Sequence, residues 1–130
     1  MSKSEYEQKI GNHLTEINIR YETEFHAVIQ GHNRRFDFYL PDYRTLMEYD
    51  GEQHFKDNYF FKTSFAKSKR IDLIKNRWAK DNNYHLLRIP YKKRDEYIRI
   101  INNFLRSVRR NPRNIKGPST RYFSDNCIGD

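Results

Sequence analysis

Residues 35–50 read Arg35-Phe36-Asp37-Phe38-Tyr39-Leu40-Pro41-Asp42-Tyr43-Arg44-Thr45-Leu46-Met47-Glu48-Tyr49-Asp50. Two short runs rich in aromatic and branched residues flank Pro41-Asp42-Tyr43-Arg44, which is the composition of a strand, a four-residue loop and a second strand. If Leu40 and Thr45 close the loop, the register is fixed: Phe38 faces Met47, Asp37 faces Glu48 and Arg35 faces Asp50. Phe36, Phe38 and Leu40 then form a core face with Thr45, Met47 and Tyr49, and the charged residues take the other face. Directly opposed strand residues have Cβ atoms about 4.5–5.5 Å apart, and like charges there destabilise a sheet unless something compensates them. A divalent cation would do so, since Mg²⁺ takes oxygen ligands and is commonly held by one or two carboxylates together with substrate phosphates. The same pattern also fits two solvated carboxylates, or carboxylates paired with Arg35 and a lysine from elsewhere.

Working outward, Ser4-Glu5-Tyr6-Glu7 is a capping box followed by Tyr6, Ile10, Leu14 and Ile17 at helical spacing, which predicts a helix over 4–17. Alternation in 19–29 predicts a strand, with a turn at 30–33. Strands are expected at 36–40 and 45–50, with Gly51 ending the hairpin. Residues 52–64 show no clean period and are expected to form a loop. Phe65, Ile71, Ile74 and Trp78 predict a helix over 65–81 carrying Lys67, Lys69, Arg70, Lys75, Arg77 and Lys80. Tyr84 to Tyr91 reads as a strand whose Pro90 suggests an edge, and 94–109 as a last helix. The order α-β-β-β-α-β-α gives an α/β protein with a mixed β-sheet flanked by helices, the crossover through 65–81 permitting a parallel pair. The expected layout is one domain over 1–110 and a basic, flexible tail over 111–130.

The 130 residues include 25 Lys+Arg against 17 Asp+Glu, a net charge of +8. Ten Tyr and nine Phe suffice for a core, which argues against wholesale disorder. The single cysteine, Cys127, excludes an internal disulfide and a thiolate metal cluster. No apolar run nears the roughly 18 residues of a membrane helix, and the first residues lack the apolar stretch of a secretory signal, so an intracellular protein with no membrane partner is expected. The basic surplus favours a polyanionic partner, because Lys and Arg on phosphates release counterions.

Five segments taken together, Ser4 to Ile10, Arg35 to Pro41, Glu48-Tyr49-Asp50-Gly51-Glu52-Gln53-His54-Phe55, Arg70-Ile71-Asp72 with Lys75, and Leu87-Arg88-Ile89-Pro90-Tyr91, resemble the Vsr-like branch of the PD-(D/E)XK nucleases. The resemblance covers residues 4 to about 91. That branch includes very-short-patch repair endonucleases and phage or viral homing endonucleases. The resemblance implies a restriction-endonuclease-like core and Mg²⁺-dependent (or Mn²⁺-dependent) cutting of double-stranded DNA by a monomer or homodimer, in a protein of phage or viral type. It makes Asp37 and Glu48 the metal ligands, with Asp50 in reach from the strand end. Glu7 becomes an acidic helper from the first helix, and His54 a group that activates water or contacts phosphate.

Two departures stand out. The superfamily's lysine, two residues after the strand carboxylate, is replaced by Asp50, and a literal Pro41-Asp42 falls in the turn. Among His54, Gln53 and Lys56, only the imidazole has an ordinary pKa suited to accept a proton at neutral pH. Lys67, Lys69, Arg70, Lys75, Arg109, Arg110 and Arg113 would track phosphates without reading bases. Each has a plainer reading: Glu7 as a helix cap, His54 as a loop hydrogen bonder, Asp72 with Lys75 as a surface ion pair, Arg88 as the partner of a buried carboxylate. The rival functions are a non-catalytic nucleic-acid-binding module on the same fold, and a structure-selective nuclease for mismatches, flaps or junctions.

Overall fold

The computed structural model describes residues 4–50, 59–110 and 122–123. Helix α1, Glu5–Glu16, starts at Ser4, whose hydroxyl accepts the Glu7 N–H at 3.2 Å, so the capping-box serine satisfies one of the orphan donors of the first turn. Strands β1 (Glu22–Ile29) and β2 (His32–Leu40) pair antiparallel from Ile29↔His32 to Glu22↔Tyr39. Their connection is the two-residue loop Gln30-Gly31, both at positive φ (53° and 79°), the combination that matches strand twist in a tight hairpin. The turn is therefore shorter, and β2 longer, than the hydrophobic pattern alone indicates.

Pro41–Tyr43 form a 3₁₀ turn and Arg44 takes φ 46°, leading into β3, Thr45–Tyr49. The register is the one the loop dictates, with Leu40↔Thr45, Tyr39↔Leu46 and Phe38↔Met47 paired. Helix α2, Tyr59–Asp81, crosses over to β4, His85–Ile89, which lies parallel to β3. Helix α2 begins well before Phe65: residues 59–64 are helical, because they contain neither Gly nor Pro to stop the turn from propagating backwards. A 3₁₀ segment, Tyr91–Glu96, precedes α3, Tyr97–Arg110. Tyr122–Phe123 form β5, parallel to β4. This fifth strand, inside the segment expected to be a flexible tail, places β4 in the sheet interior. Pro90 follows the last β4 residue, so its missing N–H costs the ladder nothing.

The mixed α/β expectation is thus borne out as one sheet ordered β1-β2-β3-β4-β5, with helices on both faces. On one face α1 and α3 supply Ile10, Leu14, Ile101 and Phe104 to Phe38, Leu40, Met47 and Leu87. On the other, Ile74, Trp78 and Ala79 of α2 pack against Phe36, Leu46 and Leu86. The reading of the hairpin as one core face and one charged face is corrected accordingly: Leu46 is wholly buried under α2. Alternation also breaks at Asp37. Phe36 belongs to the α2 side and Phe38 to the α1/α3 side, and across the β1 pairing Glu24 takes φ 56°, a conformation uncommon outside Gly and Asn. Asp37 sits at this switch, beside the end of β3, where it accepts the Tyr49 N–H. Among the described residues, no helix is long and apolar enough to cross a membrane.

Candidate active site

Asp37 is nearly buried, yet both of its oxygens are engaged: Oδ1 accepts from Arg35 Nη2 at 3.0 Å and Oδ2 from the backbone N–H of Tyr49 at 2.8 Å. The second bond takes over where the Phe38↔Met47 rung leaves off, so the side chain continues the β2–β3 link. Burial and the neighbouring Glu48, with a smaller push from Glu7, raise the Asp37 carboxyl to about 7, against the Tyr49 N–H and Arg35, which favour the charged form. An ion pair at 3.0 Å would ordinarily lower it. Arg35 is 46% exposed, and water screens most of its field. Burial is therefore the stronger influence.

Glu48 follows Met47 on β3 and stands beside Arg88 in the parallel ladder. Its Oε2 accepts from Lys75 Nζ at 2.7 Å and lies 3.3 Å from Arg88 Nη1. Lys75 is 8% exposed at its side chain; its ammonium also donates to the Arg35 carbonyl at 2.6 Å and lies 4.6 Å from the Phe36 ring centroid. Arg88, 3% exposed at its side chain, is the hub of the cluster. Beyond Glu48 it meets Asp50 Oδ1 at 3.4 Å and Asp72 Oδ1 at 3.3 Å, and binds Asn76 Oδ1 through Nε and Nη2. Asp50 is thereby paired with Arg88 of β4, whereas the hairpin register alone would set it opposite Arg35.

Among the described residues, Asp37, Glu48, Asp50 and Asp72 pair with Arg35, Lys75 and Arg88, and Glu7 adds its charge beside Asp37. The Asp37 carboxyl, raised chiefly by burial and next by Glu48, is the observation that fits a divalent cation. Hard oxygen donors on adjacent strands suit Mg²⁺ or Mn²⁺. Among the described residues, no group of three or more His, Cys, Asp or Glu is arranged as a ready-made metal cage. Asp37 and Glu48 would be the protein ligands, with water and phosphate oxygens completing the shell, which is the usual economy of Mg²⁺ sites.

The structure thus brings Asp37, Glu48, Asp50 and Glu7 into one neighbourhood. His54, with Gln53 and Lys56, lies outside the described residues, as does Arg113. Lys67, Lys69 and Arg70 are exposed on α2, while Arg109 and Arg110 close α3, their side chains also outside the described set. Lys75, expected to track phosphates from the helix surface, is instead buried against Glu48. Its placement was readable from spacing: Ile71, Ile74, Lys75 and Trp78 fall at i, i+3, i+4 and i+7, the buried stripe of a helix. Arg88 takes the plainer of its two readings as the partner of buried carboxylates. Asn76 carried no sequence signal.

Comparison with known proteins adds one relative. Over 66 residues, 48% of this chain, the sequence is 35% identical to "Uncharacterized protein 307L" of Invertebrate iridescent virus 6. The match spans 34% of that viral protein's length. No protein-family profile and no solved structure matches the chain.

Proposed function

We propose that this protein is a metal-dependent endonuclease hydrolysing phosphodiester bonds of double-stranded DNA on a restriction-endonuclease-like core of the Vsr type, acting as a monomer or homodimer. The observation that carries the reading is the Asp37–Glu48 pair on the β2–β3 hairpin, with the Asp37 carboxyl raised by burial and by Glu48 and with a buried lysine behind Glu48. Asp37 and Glu48 would hold Mg²⁺ or Mn²⁺, which would polarise the scissile phosphate and lower the pKa of a coordinated water. Lys75 stands in for the lysine that Asp50 displaces. An ammonium has three protons; one goes to Glu48 and one to the Arg35 carbonyl, leaving a third for an incoming phosphate oxygen or water. Glu7 adds negative charge beside Asp37, His54 is the group assigned to proton transfer from water, and Lys67, Lys69 and Arg70 on the outer side of α2 hold the DNA backbone.

Incubating supercoiled plasmid with the protein and Mg²⁺ should give nicked and linear DNA, and Asp37→Ala or Glu48→Ala should abolish both. Cleavage in EDTA, or surviving both substitutions, would refute the assignment. The ion pairs that already engage Glu48 favour one alternative, a nucleic-acid-binding module whose carboxylates are purely structural. That alternative predicts salt-sensitive DNA binding with no turnover in any divalent metal.

A further inference from the structure

Outside the carboxylate cluster, the strongest unexplained feature is a layered group of tyrosines and cations at the same end of the sheet. Tyr49 and Tyr97 pack against the α1/α3 core. Tyr6 lies over them, outside the core cluster, stacked on Tyr49 with ring centroids 5.7 Å apart and 23° between planes, and edge-on to Tyr97 at 6.4 Å. Cations cap the layer: Lys9 Nζ lies 4.6 Å from the Tyr6 centroid, and the Arg94 guanidinium lies 5.9 Å from Tyr6 and 3.9 Å from Tyr91. The Tyr6 hydroxyl donates to Asp95, which fixes the ring, and the Arg94 guanidinium donates to the Tyr91 carbonyl at 2.9 Å. Besides the Tyr6 ring, Lys9 pairs with the exposed Glu5 at 3.2 Å. Half-buried rings with cations over them are costly to assemble for stability alone. Exposed cation–π and i,i+4 pairs each contribute little.

Position gives the layer a purpose. Tyr49 lies between Glu48 and Asp50, and its N–H holds Asp37; Tyr6 immediately precedes Glu7. A chain gripped at Asp37 therefore reaches the end of β3, where Tyr49 supplies both the N–H that holds Asp37 and the ring on which Tyr6 stacks. Aromatic faces accept any base, and Lys9 and Arg94, which lie over these faces in the free protein, would give way to the bases and take the phosphates. We infer that Tyr6, Tyr91, Lys9 and Arg94 form a shelf for an unpaired DNA strand leaving the carboxylate site, bases against the tyrosines and phosphates against the two cations. In a paired duplex the base faces are stacked on one another and unavailable, so the shelf selects DNA opened at the point of attack. This inference rests on the nuclease reading for its biological sense, though binding alone can test it.

Fluorescence anisotropy in EDTA, with a labelled single strand and its fully paired duplex as probes, reads the shelf without cleavage. The wild-type protein should favour the single strand. Tyr91→Leu should weaken single-strand binding about tenfold and leave duplex binding within about twofold, the precision of the comparison. Lys9→Gln with Arg94→Gln should reduce the slope of log affinity against log salt on the single strand by roughly 1.4, the loss expected for two phosphate contacts. Tyr6→Phe should keep the affinity that Tyr6→Leu loses; if the phenylalanine variant loses as much, ring stacking is not the cause and the inference fails. It fails equally if Tyr91→Leu, folded by circular dichroism, leaves single-strand affinity unchanged or lowers both probes alike. Plasmid cleavage by the wild-type protein separates the two ideas. Turnover with an inert shelf overturns only the shelf, and a working shelf without turnover overturns only the nuclease.

Discussion

Asp37 is the residue whose environment most opposes its charge. Its carboxyl is raised from 3.8 to about 7 by burial and by Glu48, so between those values the folded protein binds a proton that the unfolded chain does not. Stability without metal must then fall as pH rises from about 4 to about 7, and level off above. The full effect is at most about 4 kcal/mol. Urea denaturation in EDTA should show a more stable protein at pH 5 than at pH 8, and Asp37→Asn should flatten the profile by raising stability at the alkaline end. Equal stability of the unsubstituted protein at both pH values would contradict the raised carboxyl. The proposed metal would reverse the preference, because it would bind the ionised form. Apparent Mg²⁺ affinity, followed by titration calorimetry, should climb with pH up to about 7 and then flatten. The Asp37–Glu48 meeting was legible in the sequence because one short loop sets it. The number of cations reaching that pair was not, since Lys75 and Arg88 arrive from elements whose relative placement no local pattern encodes.

At the scale of elements, two side chains fasten α2 and β4 to the hairpin. Lys75 joins α2 to β2 and β3 through the Arg35 carbonyl and Glu48, and Arg88 joins β4 to β3 and α2 through Glu48, Asp50, Asp72 and Asn76. Removing one member of a buried ion pair typically costs about 3–5 kcal/mol, because the remaining charge stays buried without its counterion. Lys75→Met should fall at the low end, since Arg88 still faces Glu48, and Arg88→Met at the high end, since three carboxylates lose a partner. Combining Arg88→Met with Glu48→Gln should cost less than the sum of the two, by about 0.5–3 kcal/mol. Strict additivity in urea unfolding would mean that the cluster does not act as a unit. Periodicity found α1, α2 and α3 because each has an apolar stripe. It placed the start of α2 too late, because Tyr59-Phe60-Phe61-Lys62-Thr63-Ser64 is helix-compatible without being amphipathic, and propagation from the following turns extends it. The face assignment of the hairpin failed for a related reason. A sheet covered on both sides needs apolar residues on both, and Leu46 was the residue that carried that message.

Across the whole molecule, the sheet grades from β1, an outer strand with five of its eight residues exposed, to β4, all five of whose residues are buried. An apolar strand of that kind needs a neighbour on each side, because its unpaired N–H and C=O groups would otherwise template association with another chain. β3 supplies one neighbour and β5 the other, pairing Leu86 with Tyr122 and Leu87 with Phe123. The C-terminal segment looked like a mobile arm because its Pro, Gly, Asn and Arg content hides a two-residue strand, too short to leave an alternating pattern. The two roles make opposite predictions for a chain ending at Arg110. If the segment only holds DNA electrostatically, truncation should weaken DNA binding, reduce its salt dependence and leave a monodisperse protein. With β5 lying on β4, the truncated protein should instead show a lower melting temperature and concentration-dependent association in light scattering. A charged residue on the newly exposed edge, Leu87→Lys excluded because that side chain is core, is the wrong repair; the right one is the separate peptide 111–130 added back, which should restore the melting temperature by occupying the β4 edge. A truncated chain that stays monomeric at the original melting temperature would show that β4 tolerates an open edge and that β5 contributes nothing to the fold.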